Sequence, residues 1–414
     1  MDLVISHSCP SCGGPVEMNE ADRLTVCPYC EIQNYMAGSR MLRYVLPDNI
    51  PEHIDSGSIF YFPYLRFKGN IYTCVGKKVG CKVLDTTHQG LESRLLPPSL
   101  GLRPQAMKIA MVHKGLPGRF IKRAATPAAL LQRAETLANS VIDSVDDTLY
   151  HRCFIGETVS CLYLPLYIEN ERVHEGVLNR VLGPAEDWLE DPDNVMGFRS
   201  QWLPSYLAMI CPRCGDAMQG ESDSLIVSCF NCDSCWAEEK GSFGQVDFEL
   251  IEGGIGDSYL PFWCISVESA GIEMKTFADL LRVTNQPVIV RDVHRSRKLQ
   301  FWIPALKIRP KVFITMAKGA TLSQLKFPKG TPRLNKKIMR PTLALQEALQ
   351  SVKSVLAQTA MNRRDVMPML SEMSVSVKHT HLVYLPFKDR AHDLVQVHSP
   401  LSIARSVIRT ARRL

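Results

Sequence analysis

Residues 9–14 read CPSCGG and residues 27–30 read CPYC; residues 211–216 read CPRCGD and residues 229–232 read CFNC. In both sets one C-x-x-C pair is followed, after 14 intervening residues, by a second, and the sets lie 202 positions apart. The same spacing with the same local residues marks an internal repeat. A C-x-x-C flanked by Pro and Gly suits a tight turn that aims both sulfurs at one point. Gly13 and Gly215 supply the positive φ after the second sulfur. Two such turns facing each other make a tetrahedral four-thiolate cage. The intervening VEMNEADRLTV (16–26) and AMQGESDSLIVS (217–228) run strand, polar turn, apolar strand, which predicts a β-hairpin in each set.

Segments this short bury too little apolar surface to fold alone, and metal binding worth on the order of 10 kcal/mol supplies the missing stability. The expectation is therefore two closed structural zinc sites, one on Cys9, Cys12, Cys27 and Cys30, the other on Cys211, Cys214, Cys229 and Cys232. Iron fits the same four-sulfur cage, and disulfides are the rival that a reducing cytoplasm disfavours. CFNCDSC offers a third thiol, Cys235, which the repeat leaves spare. Cys74, Cys81, Cys153, Cys161 and Cys264 have no ligand spacing and read as small core residues.

Outward from the cysteines the similarity continues. IFYFPYLRF (59–67) matches SYLPFWCIS (258–266), and LRPQAMKIAMV (102–112) matches WIPALKIRPKV (302–312). The helix-like TPAALLQRAETLANSVI (126–142) matches RPTLALQEALQSVKSVL (340–356), and ETVSCLYLPLYIEN (157–170) matches VKHTHLVYLPFKDR (377–390). The expected fold is α+β: two tandem copies of a four-cysteine ribbon, each followed by a β-rich unit with one amphipathic helix. The expected domains are 1–38, 39–183, 207–240 and 241–398, with a linker at 184–206 and a basic helix at 399–414. Apolar stripes mark the two helices, Leu130, Ala134, Leu137, Val141 and Val145 in one and Leu345, Leu349, Val352 and Leu356 in the other. Prolines within the strand-like runs belong on edges, bulges or strand ends, since they have no N–H for a ladder. Trp188 and Trp202 should pack the linker onto one unit.

With 414 residues, 45% hydrophobic and 22% charged, the chain is an ordinary globular one of two to three domains, not a disordered or fibrous one. No apolar run approaches a membrane span and no secretory leader is visible, so a cytoplasmic protein is expected. The net charge of +6 is uneven, −3 over residues 1–200 and +9 over the remainder. Between Ile289 and Arg340 there are 14 Lys and Arg and one acid, Asp292. A partner surface is expected on Arg291, Arg295, Arg297, Lys298, Trp302, Lys307, Arg309, Lys311, Lys336 and Lys337. Phe301, Trp302, Phe313 and Phe327 interleave with the cations. Cations for phosphates and rings for bases suit single-stranded nucleic acid; an acidic protein complex suits the cations equally. The C-terminal helix, with Arg405, Arg409, Arg412 and Arg413, offers a weak contact to an anionic surface, or docks on the fold with its cations at the favourable dipole end.

No catalytic constellation stands out. CVGKKVGC (74–81) lacks the spacing and hydroxyl of a phosphate loop, and His379 and His381, two apart on a strand, have no third ligand in view. The four-cysteine strings resemble the zinc ribbons of transcription factors, ribosomal proteins and replication-restart helicases, without helicase motor motifs. YFPYLRFKG and SLGLRPQAMKI are similar to strings in bacterial zinc-ribbon proteins, which implies the metal and no particular activity. The expectation is a non-enzymatic zinc scaffold that binds a macromolecular partner through its basic second half. The alternatives are a rubredoxin-like iron carrier and an accessory subunit of a larger redox complex.

Overall fold

The computed structural model describes residues 4–38, 41–101, 109–126, 148–188, 194–254, 256–324 and 330–411, and it is α+β with strands predominating. Its backbone divides into two units. One comprises Met1–Lys68, Leu84–Val141 and Glu157–Ala208; the other comprises Gly69–Val83, Ile142–Gly156 and Met209–Leu414.

In the first unit Val4–Ser8 pairs antiparallel with Pro15–Asn19 and parallel with Ile109–Met111. Leu42–Val45 lies between Ile109–Met111 and Leu149–Glu169, parallel to the latter. Ile59–Val75 is the next neighbour, with Lys78–Gln89 and Arg119–Ile121 alongside it. The run from Ile59 to Gly69 is buried at every position rather than at every second one, as a strand covered on both faces must be. Trp188 packs on Phe62 at 5.6 Å between ring centroids and Trp202 on Phe120 at 5.0 Å, so both tryptophans hold the 184–206 segment against this unit, as expected.

In the second unit Ser258–Ala270 and Ser374–Arg390 form a long antiparallel pair. Phe301–Pro304 flanks the first of these strands, and Asp393–Gln396 the second. The helix Leu345–Thr359 carries the expected stripe inward: Val352 and Leu356 are fully buried, with Leu345 and Leu349 packed at the edge of the core. The single helix expected here is one of six among the described residues. Phe277–Val283, Asp292–Ser296, Pro310–Ser323 and Arg363–Glu372 were hidden by short length or by positively charged, weakly periodic sequence, and Arg405–Ala411 is the expected C-terminal helix. The C-terminal helix begins at Arg405, not Ser399. Ser402–Ala404 is instead a strand paired with Asp393–Gln396, and Val407 docks the helix on the core. The helix expected at 126–142 lies outside the described residues but for Thr126, as do residues 102–108 of the second matched pair, and Arg412 and Arg413. No described helix is long and apolar enough to cross a membrane.

One order of pairing occurs in each unit. A short strand lies parallel to a long one, Leu42–Val45 on Leu149–Glu169 and Phe248–Leu250 on Ser374–Arg390. The long strand then turns back into a two-strand extension, Arg172–Glu175 with Arg180–Pro184 and Asp393–Gln396 with Ser402–Ala404. The third neighbour differs: Arg119–Ile121 is parallel to its partner, whereas Phe301–Pro304 is antiparallel.

The four prolines of the matched strings sit inside long strands rather than at their ends, which corrects the expectation. Each instead marks the point where a neighbouring ladder runs out. Pro63, Pro165, Pro261 and Pro386 accept through their carbonyls from the backbone N–H of Gly90, Gly176, Ala305 and Val397, at 2.7, 2.8, 2.9 and 3.2 Å. The missing N–H thus falls where no further ladder bond is required. At Gly90 a Cβ would lie 2.8 Å from the Pro63 carbonyl oxygen, so that turn needs glycine for close approach.

Candidate metal centres

Each C-x-x-C pair closes the turn its sequence predicts. Cys9 N–H donates to the Gly14 carbonyl at 2.8 Å and Gly13 N–H to the Cys9 carbonyl at 2.9 Å. Cys211 N–H to Asp216 and Gly215 N–H to Cys211 repeat those bonds at 2.8 and 2.9 Å. Gly13 and Gly215 both have φ of +77°, the value foreseen for the position after the second sulfur. The other two turns place Glu31 and Asp233 in the same left-handed region, at φ 58° and 50°. That requirement was readable only by aligning all four turns, because neither residue is glycine.

The turns bring the sulfurs together. Cys9 and Cys30 Sγ are 3.8 Å apart, Cys12 and Cys27 3.5 Å, Cys211 and Cys232 3.6 Å, and Cys214 and Cys229 3.4 Å. All four sulfurs of each set lie within 4.8 Å of one another. Metal–sulfur bonds of about 2.3 Å at tetrahedral angles require sulfurs about 3.8 Å apart, so both sets fit a four-thiolate metal ion. In each the first and third cysteines are buried, the second is exposed and the fourth half-buried.

The strands around the first set depart from the expected hairpin. Pro15–Asn19 pairs with Val4–Ser8 and Leu24–Val26 pairs with Gln33–Ala37, so the two strands leave the turn at Asn19–Asp22 for different sheets. A partner strand ahead of Cys9 captures the first one. In the second set Gln219 and Ser228 exchange both backbone hydrogen bonds, the single bridge of a minimal hairpin.

Backbone N–H groups aim at the sulfurs. Ser11 N–H donates to Cys9 Sγ and Tyr29 N–H to Cys27 Sγ, each at 3.4 Å. The Cys12 backbone N–H, opposed by burial, holds the Cys9 thiol down to about 6. On Cys211 burial acts upward, yet the N–H groups of Cys214 and Arg213 and the Ser234 hydroxyl bring it to about 6. Cys229 is pushed up to about 12 by burial first and then by its neighbour Cys214. A divalent ion favours the thiolate at all four sulfurs.

Cys235 stands apart from the second set. It is fully buried, its thiol pushed up to about 11 by burial, with its sulfur 3.7 Å from Ser228 Oγ. Cys74, Cys153, Cys161 and Cys264 are core residues and Cys81 packs at the core edge. His379 and His381 lie on one face of Ser374–Arg390, 5.5 Å apart, and belong to no metal-competent cluster among the described residues.

The basic segment is divided. Arg291, Arg295, Lys298, Arg309, Lys311, Arg333, Lys336 and Lys337 are exposed, while Arg297, Lys307 and Lys318 are half-buried. Trp302 is not a surface residue: with Phe301 and Phe313 it lies in the core, at 4%, 0% and 2% exposure, because Phe301–Pro304, the edge strand of its sheet, is covered by the helix Pro310–Ser323. Arg340 is also buried, donating to Ser228 Oγ at 3.2 Å and lying 5.0 Å over the Phe230 ring, where it joins the second cysteine set to the unit behind it. Lys326, Phe327 and Lys329 lie outside the described residues.

Sequence reading missed one further construction. Arg66, 1% exposed, makes a bidentate pair with Asp85, Nε to Oδ1 and Nη2 to Oδ2 at 2.9 Å each. Its Nη1 pairs with the equally buried Glu20, which also accepts from Ser160 Oγ at 2.8 Å. Glu20 lies between the two C-x-x-C turns, so this network ties the first cysteine set to the sheet. The signal was an arginine inside an otherwise apolar run. Comparison with family models, curated proteins and solved structures gives no match to this chain.

Proposed function

We propose that this protein is a non-enzymatic zinc scaffold built from two copies of one ribbon-plus-sheet unit, and that its basic second half docks an acidic protein partner. The two four-thiolate cages carry the reading. Four cysteines fill a tetrahedral shell and leave no position for substrate or water, so the ions serve folding rather than catalysis. The equal cysteine spacing and the shared order of strand pairing support duplication. Free thiols throughout suit a reducing compartment.

Between the two partner classes, the burial of Phe301, Trp302 and Phe313 favours protein. Single-stranded nucleic acid requires exposed rings for its bases, whereas the exposed lysines and arginines offer charge alone. Elemental analysis of natively purified protein tests the metal: two zinc ions per chain are expected. One or none overturns the scheme, and iron with visible absorption and a reversible couple makes the protein an electron carrier. Capture from the native host tests the partner. Acidic proteins that elute with salt and are lost on Lys336→Glu/Lys337→Glu support docking; nucleic acid as the sole captured species refutes it.

A further inference from the structure

We propose that a cation-lined hollow in the second unit binds a small, phosphoryl-dense anion, of the kind presented by a chain of about three phosphate groups. Two adjoining cavities of about 560 and 380 Å³ share Lys77 and Arg364. Lys318, Ala360, Met361, Asn362 and Arg363 complete the lining of the larger; Lys78, Gly76 and Tyr150 complete that of the smaller. Five cations from three separate stretches of chain therefore converge on one depression. Among the described residues none of the five is ion-paired.

Neutral groups hold the arrangement in place. Arg363 Nη1 donates to the Lys77 carbonyl at 3.4 Å and Nη2 to Gln358 Oε1 at 3.1 Å, fixing the hairpin turn to the start of Arg363–Glu372. Gly76, at φ 54°, makes that turn, and its N–H donates to the Thr148 carbonyl at 3.0 Å. Met361 N–H donates to the Thr284 carbonyl at 2.9 Å. Asp365 accepts from Asn362 Nδ2 at 2.7 Å rather than pairing with one of the five cations, so the cluster stays net positive for a ligand.

Phosphate chemistry fits best. Guanidinium forks match phosphoryl oxygens two at a time, ammonium groups supply point charges, and the helix start adds its own positive end. A single sulfate would neutralise less than half of five cations, whereas a triphosphate chain approaches balance. The string CVGKKVGC has no phosphate-loop spacing; here its lysines act through the tertiary cluster, not through a glycine cradle. Tyr150 places an aromatic ring in the smaller cavity, where a nucleoside base would lie. The site is separate from both cysteine cages, and four of its five cations lie outside the 291–340 segment, so its test is independent of the scaffold reading.

The test uses the full metal-loaded chain and tripolyphosphate in titration calorimetry, with metal content measured before and after. Tripolyphosphate should bind more tightly than sulfate at equal ionic strength and weaken as salt rises. Arg364→Glu, exposed at the start of the helix Arg363–Glu372, and Lys77→Glu, on an exposed turn, should each weaken it at least about ten-fold with unchanged near-ultraviolet dichroism, while Lys336→Glu should not. Adenosine triphosphate binding more tightly than tripolyphosphate, with the advantage lost in Tyr150→Ala, identifies a nucleotide as the source; equal binding identifies an inorganic chain. Binding no tighter than sulfate, undiminished by Arg364→Glu, or explained by metal stripped from the cages overturns the proposal.

Discussion

Removing the Arg66 charge should destabilise the first unit severely, and removing its partner's charge as well should restore much of the loss. Arg66→Met keeps the aliphatic stem and deletes the guanidinium. Glu20, at 1% side-chain exposure, is then left with only the Ser160 hydroxyl as a side-chain partner among the described residues. Breaking a buried pair by taking away one ion costs about 3–5 kcal/mol, because the remaining charge stays desolvated. Against a total stability of roughly 5–15 kcal/mol that is enough to populate open states of the unit. Arg66→Met/Glu20→Gln removes both members of the buried pair and keeps the Ser160 hydrogen bond available, so it should recover about 2 kcal/mol or more. Asp85, with 35% side-chain exposure, can turn to solvent and adds little to the penalty. Hydrogen exchange read by mass spectrometry resolves Ile59–Val75 and Leu149–Glu169 from the strands of the second unit and gives local opening energies. A single variant within about 0.5 kcal/mol of the parent, or a double variant no more stable than the single, would refute the reasoning.

Three further outcomes follow from particular positions. Cys232→Ser should lower metal content by one ion per chain while Cys235→Ser leaves it unchanged, since only Cys232 belongs to the second cage; atomic absorption decides, and equal losses would undo the assignment. Gly13→Ala meets no atom within 4 Å, so its cost is the left-handed backbone alone, about 1–2 kcal/mol, and Glu31→Gly should gain up to about 1 kcal/mol. Competition with a chromogenic chelator should rank the chains Glu31→Gly, parent, Gly13→Ala in metal retention, and the reverse order would contradict the turn geometry. Burial, with Lys353 nearby, depresses His151 to about 4 in the folded chain. The unfolded chain therefore takes up that proton first, and the stabilisation, full above about pH 6.5, is lost as pH falls towards 4, on the order of 3 kcal/mol. Urea midpoints between neutrality and about pH 5 should fall less for His151→Phe than for the parent; parallel curves would show that His151 is not the group involved.

What the sequence made legible was whatever a local pattern controls. The cysteine spacing places eight sulfurs correctly because each C-x-x-C turn is closed by its own backbone, Cys9 to Gly14 and Cys211 to Asp216. The stripe Leu345, Leu349, Val352, Leu356 finds its helix for the same reason. Pairing between distant strands is not written locally. Residues 16–26 look like a hairpin, yet Pro15–Asn19 is taken by Val4–Ser8, a strand whose own sequence, VISHS, is too short and polar to stand out. Trp302 was misread because density of charge along the chain does not say which side chains face outward. The strand Phe301–Pro304 turns its rings into the core while Arg291 and Lys298 stay in solvent. Arg340 leaves the water because Ser228 and Phe230 meet it.

The two cages, alike in their sulfurs, differ in what surrounds them. In the second, Trp236 Nε1 donates to Ser234 Oγ at 2.8 Å, leaving that hydroxyl free to donate to Cys232 Sγ at 3.0 Å. Ser234 is 1% exposed, so this relay operates out of water and draws negative charge off a ligand sulfur. The position 202 residues earlier is Ile32, 47% exposed, which has no hydroxyl to offer. Cys30, half-buried like Cys232, lacks that hydroxyl and on this account keeps more of its charge. A sulfur richer in charge is the better nucleophile toward oxidants and the better acceptor of a proton, and both reactions release the metal. Equal ligand spacing thus does not make equal sites: on this chemistry a metal ion bound in the first cage is expected to leave before one bound in the second, with the Ser–Trp relay as the difference between them.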